Sequence, residues 1–215
     1  MALSPDYEFP ELSQIEGVPS PSILIFPEKI RANIKLMIKI AVGPERLRPH
    51  VKTHKMAEVV ALQQEQGIGK FKCATMAEMR MLLTCQVKDI LLAMQPVGPV
   101  IASLVQLSKK HPDTQFSTLV DNSKTLKTIE ALCYQSGANL GIYLDINCGM
   151  NRTGIVPSKA AKKLYQRIHQ SKSLVLGGLH VYDGHIRDSN IGDRAEHCRR
   201  DWEAVYAFID SLKES

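Results

Sequence analysis

Arg48-Pro49-His50-Val51-Lys52-Thr53-His54-Lys55 is the stretch on which the reading of this chain turns. Pro49 disfavours the helical region at Arg48, and Val51 and Thr53 are β-branched, so Arg48–Lys52 is predicted to be a strand. Alternation along that strand puts Arg48, His50, Lys52 and His54 on one face. If that face is solvated, the run is merely basic. If it points inward, its charge needs an anionic partner, because an unpaired buried charge is very costly.

Outward from the octapeptide, strands and helices take turns. On its N-terminal side, Ser22–Phe26 reads as a short apolar strand. Pro27 opens a helix carrying Ile30, Ile34, Met37, Ile38 and Ala41 at helical spacing, and Gly43-Pro44 stops it. The first 21 residues are polar, hold four prolines and read as an irregular arm. On the C-terminal side a helix is expected from about Met56 to Gln66, then a strand at Phe71–Thr75 and a helix at Met76–Leu83. Strand Asp89–Met94 leads to a helix from Pro99 to Lys109. Strand Gln115–Val120 leads to a helix capped by Asp121-Asn122-Ser123 and ended by Gly137. Strand Leu140–Asn147 precedes helix Ser158–Gln170, and strand Leu174–Tyr182 precedes helix Arg194–Leu212.

Six strands following the first helix, each leading into a helix, imply an α/β fold with parallel strands and right-handed crossovers. A doubly wound open sheet and a (β/α)8 barrel both fit, and a closed barrel would need about two more βα units.

With 215 residues, 44% of them hydrophobic, the chain can bury a substantial core. The net charge of +5 is scattered and aromatics are only 6%, a poor footprint for nucleic acid. No apolar run approaches the roughly 18–20 residues of a membrane span. Met1–Phe9 lacks the basic and apolar regions of a secretory signal. Five cysteines without a C-x-x-C pair read as reduced thiols of a cytoplasmic protein.

In parallel α/β folds, chemistry gathers at the C-terminal ends of the strands. The strands deliver His50 and Lys52, then Tyr143, Asp145 and Asn147, then Gly178, His180 and Tyr182, each set on one face. Lys52 is the candidate nucleophile: a reactive lysine must be neutral, and cationic neighbours favour that form. In sequence those neighbours are Arg48, His50, His54 and Lys55, and a solvated basic strand remains the alternative reading. Gly149-Met150-Asn151-Arg152-Thr153-Gly154 brackets an arginine with glycines just past a strand, which lets backbone approach a ligand and aims a guanidinium at an anion. It matches neither a Walker A loop nor a G-x-G-x-x-G turn, and an ordinary surface turn is the alternative. Asp145 reads as an orienting carboxylate. His180 and His185 fit neither a helical nor a same-face strand pair, so no metal ligand is assigned. No G-x-S-x-G elbow is present.

Together these residues resemble the D-threonine aldolase and D-serine dehydratase family of alanine-racemase-like pyridoxal-phosphate (PLP) enzymes. The octapeptide resembles that family's cofactor-lysine motif. Cys73-Ala74-Thr75 with Ala77-Glu78, Leu91-Leu92-Ala93, Asp145–Gly154 and Gly178–His185 follow in its order and spacing. The resemblance implies the (β/α)8 barrel of the alanine-racemase N-terminal domain, with an arm at 1–21 and a PLP-binding barrel domain at 22–215. It also implies that the chain stops before the last barrel units and a C-terminal β-domain.

The cofactor implied is PLP, covalently held by Lys52, which would then act as the base at Cα. Arg152 would contact the cofactor's phenolic oxygen, Tyr182 would sit at the cofactor, and His50 and Thr75 fall at cofactor-binding positions. The implied activity is cleavage or dehydration of β-hydroxy D-amino acids by a homodimer, aided by zinc or manganese whose ligands lie outside this sequence. An amino-acid racemase and a non-catalytic PLP-binding homeostasis protein are the rivals; the expected partner is a small D-amino acid, not nucleic acid or membrane.

Overall fold

Five strands run parallel in a computed structural model that describes residues 11–213, and they lie side by side in chain order. They are β1 (Lys70–Cys73), β2 (Asp89–Leu92), β3 (Gln115–Val120), β4 (Leu140–Ile146) and β5 (Leu174–Val181). A doubly wound sheet reverses direction at a switch point. Here every strand pairs with its successor, from Lys70↔Asp89 through Asp145↔His180, which is barrel order. The sheet is therefore part of a (β/α)8 barrel wall, with five of the eight strands of a closed barrel.

Among the described residues, eight α-helices precede, connect and follow the strands: α1 (Leu12–Ile15), α2 (Pro27–Ala41), α3 (Ala57–Gln64), α4 (Met76–Thr84), α5 (Pro99–Lys110), α6 (Ser123–Ser136), α7 (Lys159–Gln170) and α8 (Ile191–Lys213). Their ends obey local chemistry. Asn122 caps α6 by accepting from Thr125 N, and Gly137 closes it with a left-handed φ of 69°. Ser158 caps α7 in the same way, accepting from Ala161 N.

The core lies between sheet and helices. Phe71, Ile90, Phe116, Ile142 and Leu144 meet Met79, Leu82, Leu104, Leu126, Ile129 and Ile168, all at most 1% exposed. Each such side chain contributes about 1.5–3 kcal/mol of burial. β4 is buried at every position but Tyr143, as a central parallel strand should be, whereas β5 is only partly covered.

Two expected strands are absent. Ser22–Phe26 pairs with no described strand, and Ile23, Leu24 and Ile25 stand open, Ile23 at 85% exposure. β propensity without a neighbour to hydrogen-bond does not make a strand. The basic strand at 48–52 contracts to a single parallel bridge, His50↔Lys72, beside β1. Past it the backbone tightens into a 3-10 turn, Val51–Thr53, because the His50 ring accepts from Lys52 N at 3.2 Å. The N-terminal arm contains one helical turn, α1, and its first ten residues lie outside the described ones.

Candidate active site

A cleft of about 440 Å³ opens at the C-terminal ends of the strands. Its lining includes His50 and Lys52 from the octapeptide, Lys72 from β1, Gln95 beyond β2, Asp121 beyond β3, Asp145 and Arg152 from β4 and its loop, and His180 and Tyr182 at the end of β5. A larger cleft of about 680 Å³ lies at the opposite end of the sheet, around Lys88, Asp113, Asn139 and Gly141. That end of a parallel barrel serves stability, and the strand-end cleft is where the polar groups converge.

The tight turn at Val51–Thr53 presents Lys52 to the cleft, while Val51 anchors the turn in the core at 0% exposure. Lysine 52 and Lys72 stand close enough to His50 to add their charges to the effect of burial, which comes first, and its pKa is lowered to about 4. With Nδ1 accepting from Lys52 N, the neutral ring carries its proton on Nε2. Burial, then the charges of Lys52 and Arg48, also lowers the pKa of Lys72.

The loop after β4 is built by its own amides. Asn147 Oδ1 accepts from Gly149 N at 3.0 Å and Asn151 N at 3.1 Å, and its Nδ2 donates to Asn151 Oδ1. Gly154 closes the loop at φ 94°, where a Cβ would come within 2.7 Å of Asn147 N, so only glycine fits. Its N–H donates to Asp121 Oδ2 at 3.1 Å, tying the loop to the end of β3. The loop holds the Arg152 guanidinium 4.9 Å from the centre of the Tyr182 ring, a cation–π stack beside the cleft.

Of the residues expected at the site, Lys52, His50, Arg152 and Tyr182 line the one cleft. Thr75 does not: its hydroxyl accepts from Glu78 N at 3.2 Å and caps α4, while Glu78 accepts from Ala74 N at 2.8 Å. Arg48 and His54 leave the expected shared face. Arg48 grips Asp89 through two bonds of 2.5 and 2.9 Å, and His54 Nδ1 accepts from Met56 N. The turn at Val51–Thr53 ends the alternation that would have aligned them. Lys72, Gln95 and Asp121 were not singled out by sequence. Lys72 did leave a signal, a charged residue between Phe71 and Cys73, both buried. The cysteines are packing residues: burial raises the thiol pKa of Cys73 to about 12 and of Cys133 to about 11.

A family model described as alanine racemase, N-terminal domain, matches residues 25–215, and the chain belongs to that family. It is similar to the D-threonine aldolase of an Arthrobacter species, 26% identical over 200 residues that cover 92% of this chain and 52% of that protein. It is also similar to the D-serine dehydratase of Schizosaccharomyces pombe, 27% identical over 195 residues, 84% of this chain and 46% of the relative. Among solved structures, D-threonine aldolase from Filomicrobium marinum superposes with a TM-score of 0.83 at 25% identity, over 92% of this chain and 53% of that one. The chain thus spans about half the length of the curated relatives it matches. No described helix is long and apolar enough to cross a membrane.

Proposed function

We propose that this chain is the cofactor-holding part of a PLP-dependent lyase acting on β-hydroxy D-amino acids, of the D-threonine aldolase or D-serine dehydratase type. The observation that carries the reading is the convergence of Lys52, Lys72, Arg152 and His50 on one cleft beside Tyr182. The acidic members of the lining are already engaged, Asp145 with His180 and Asp121 with Gly154 N. The cleft therefore has cationic groups to spare for an anionic ligand. Its volume lies within the usual range for a small-molecule site.

PLP fits that demand: it is anionic, its planar ring suits a stack of tyrosine and guanidinium, and its aldehyde needs an amine. When bound, it supplies the electron sink for bonds broken at the substrate's Cα. Lys52 Nζ would hold the cofactor and, once displaced by the substrate amine, take or return the proton at Cα. Arg152 would place its N–H groups on the phenolic oxygen and hold it ionised. Tyr182 would orient the ring. Zinc or manganese at the β-hydroxyl belongs to the same reading, but among the described residues the cleft holds no three-ligand group for it, and no step is drawn through it. Homodimer assembly and a cytoplasmic location complete the proposal, the latter supported by five free cysteines.

The test is direct. Loading with PLP followed by borohydride reduction should fix the cofactor on the peptide containing Lys52, and Lys52→Ala should abolish both the visible absorbance and the mass shift. Labelling that persists elsewhere in the variant would overturn the assignment. In the whole protein, D-threonine should yield glycine and an aldehyde, or D-serine should yield pyruvate. Conversion of D to L enantiomers would identify a racemase instead, and bound PLP without turnover a non-catalytic carrier.

A further inference from the structure

Beyond the cleft, the loop after β5 and the first half of α8 bring three metal-ligating side chains together. His185 Nε2 lies 2.7 Å from Asp201 Oδ2, and His197 Nε2 lies 3.3 Å from the same oxygen. The ligand atoms of the three residues all fall within 4.8 Å of one another. None of the three lines the cleft, and His180, the other histidine of the β5 end, pairs with Asp145 instead.

We propose that His185, His197 and Asp201 form a binding site for a divalent transition-metal ion of the zinc class. The ion would pin the loop that follows Tyr182 to α8. The proposal does not depend on the PLP reading.

The geometry around His197 carries the argument. Its Nδ1 lies 2.8 Å from Asp188 Oδ2, a contact that requires a proton on Nδ1. In the neutral ring that leaves the bare Nε2 lone pair aimed at a second carboxylate, Asp201. Lone pair facing carboxylate is repulsive unless a proton or a metal cation lies between them, and the same geometry accepts either. A carboxylate on the outer nitrogen and a ligand-facing inner nitrogen are the arrangement that orients metal-bound histidines.

Two imidazoles and one carboxylate match a site with three protein ligands and one open position. Four-coordinate bonds of about 2.0–2.1 Å need ligand atoms roughly 3.3 Å apart, so Asp201 and His185 have only to open slightly. His197 and Asp201 stand four residues apart on α8 and face the same way.

Space for the fourth ligand comes from Gly149. A Cβ there would sit 2.7 Å from Asp201 Oδ2 and 3.0 Å from His185 Nε2, and its φ of 123° favours glycine in any case. His185 Nδ1, which faces away from the site, is buried with no hydrogen-bond partner, and the ion would bind the other nitrogen, Nε2. Imidazole-rich sites select zinc and its neighbours over magnesium or calcium.

The experiment is metal analysis of the 215-residue chain after chelator treatment, reloading with Zn²⁺ and exhaustive dialysis. One equivalent of zinc should remain, Co²⁺ should compete for it with a visible ligand-field band, and Mg²⁺ should not. Saturating zinc, about 100-fold above Kd, should raise the unfolding midpoint by about 5–10 °C. His197→Ala and Asp201→Asn should each lose the bound zinc. Asp188→Asn, which spares all three ligands, should weaken affinity about 10–100-fold. His169→Ala, on exposed α7 surface, should change nothing. Less than a tenth of an equivalent in the folded wild type would overturn the site. So would full retention in a folded His197→Ala/Asp201→Asn chain, or an unchanged affinity in Asp188→Asn.

Discussion

Asp145 and His180 stand opposite each other in register on β4 and β5, and their side chains meet at 2.7 Å on the cleft wall. Asp145 is only 5% exposed, so its partner matters. His180→Ala should cost about 1–3 kcal/mol in urea unfolding, because it strands a buried carboxylate. Asp145→Ala in the same chain should recover part of that loss. A coupling of about 1 kcal/mol or more in the double-mutant cycle is expected, and strict additivity would show that the pair does not interact.

Arg48 binds Asp89 bidentately with both side chains about 20% exposed, fastening the start of the octapeptide to the first residue of β2. Arg48→Met should therefore lower stability by about 1–2 kcal/mol and leave PLP loading on Lys52 intact. Arg48→Lys should rescue little, since an ammonium cannot reproduce the paired bonds. A loading defect in folded Arg48→Met would return Arg48 to the site.

His50 sets a pH dependence whose sign follows from its environment. Burial, then Lys52 and Lys72, lowers its pKa from 6.5 to about 4. Between those values the unfolded chain binds more protons than the folded one, so stability rises with pH across that window. The contribution is complete above pH 6.5 and is lost as pH falls through about 4. Burial lowers the pKa of His54 as well, and it adds in the same direction. Denaturation of the PLP-free protein from pH 4 to 7 should show a shallower slope for His50→Gln than for the wild type.

Thr75 separates a helix cap from a cofactor contact. As the cap of α4, its loss in Thr75→Ala should cost about 1 kcal/mol of stability. PLP affinity, measured by equilibrium dialysis, should stay within a factor of two. A tenfold loss of affinity in the folded variant would give the hydroxyl a place at the cofactor.

Local chemistry made most of the fold legible in the sequence. β3 appears at Gln115–Val120 as expected, because Phe116, Thr118, Leu119 and Val120 are apolar or β-branched and the segment is bounded by polar turns. Gly43, Gly137 and the Asn122 cap mark helix ends for reasons contained within a few residues. Ser22–Phe26 was illegible in the other direction, since a strand exists only where a neighbour accepts its hydrogen bonds. The octapeptide was half legible: the pairing of His50 with β1 agrees with an extended start. The turn that follows depends on a side chain bonding its own backbone, which alternation arguments ignore.

At the site, Lys52, Arg152 and Tyr182 announced themselves through residue type beside a strand end. Lys72 and Asp121 did not, because their roles depend on which strands become neighbours. The His185–His197–Asp201 group was hidden for the same reason: one of its three members is a loop residue brought back against a helix.

β5 holds one more consequence. Opposite Ile142 and Tyr143 its pairing skips a residue, from Leu176 to Gly178. Gly177 fills the skipped place, where a Cβ would press within 2.5 Å of the Tyr143 ring. Before the skip, Val175 shares its side of the sheet with Gly141; after it, His180 shares that side with Asp145. Odd-numbered residues face inward in the first half of the strand and even-numbered ones in the second. The strand thus changes frame midway, and if Gly177 took an ordinary place in the ladder opposite Tyr143, every later residue would shift by one. Leu179 and Val181 would turn into the cleft, His180 and Tyr182 would turn toward the helices, and no chemical group would have been altered.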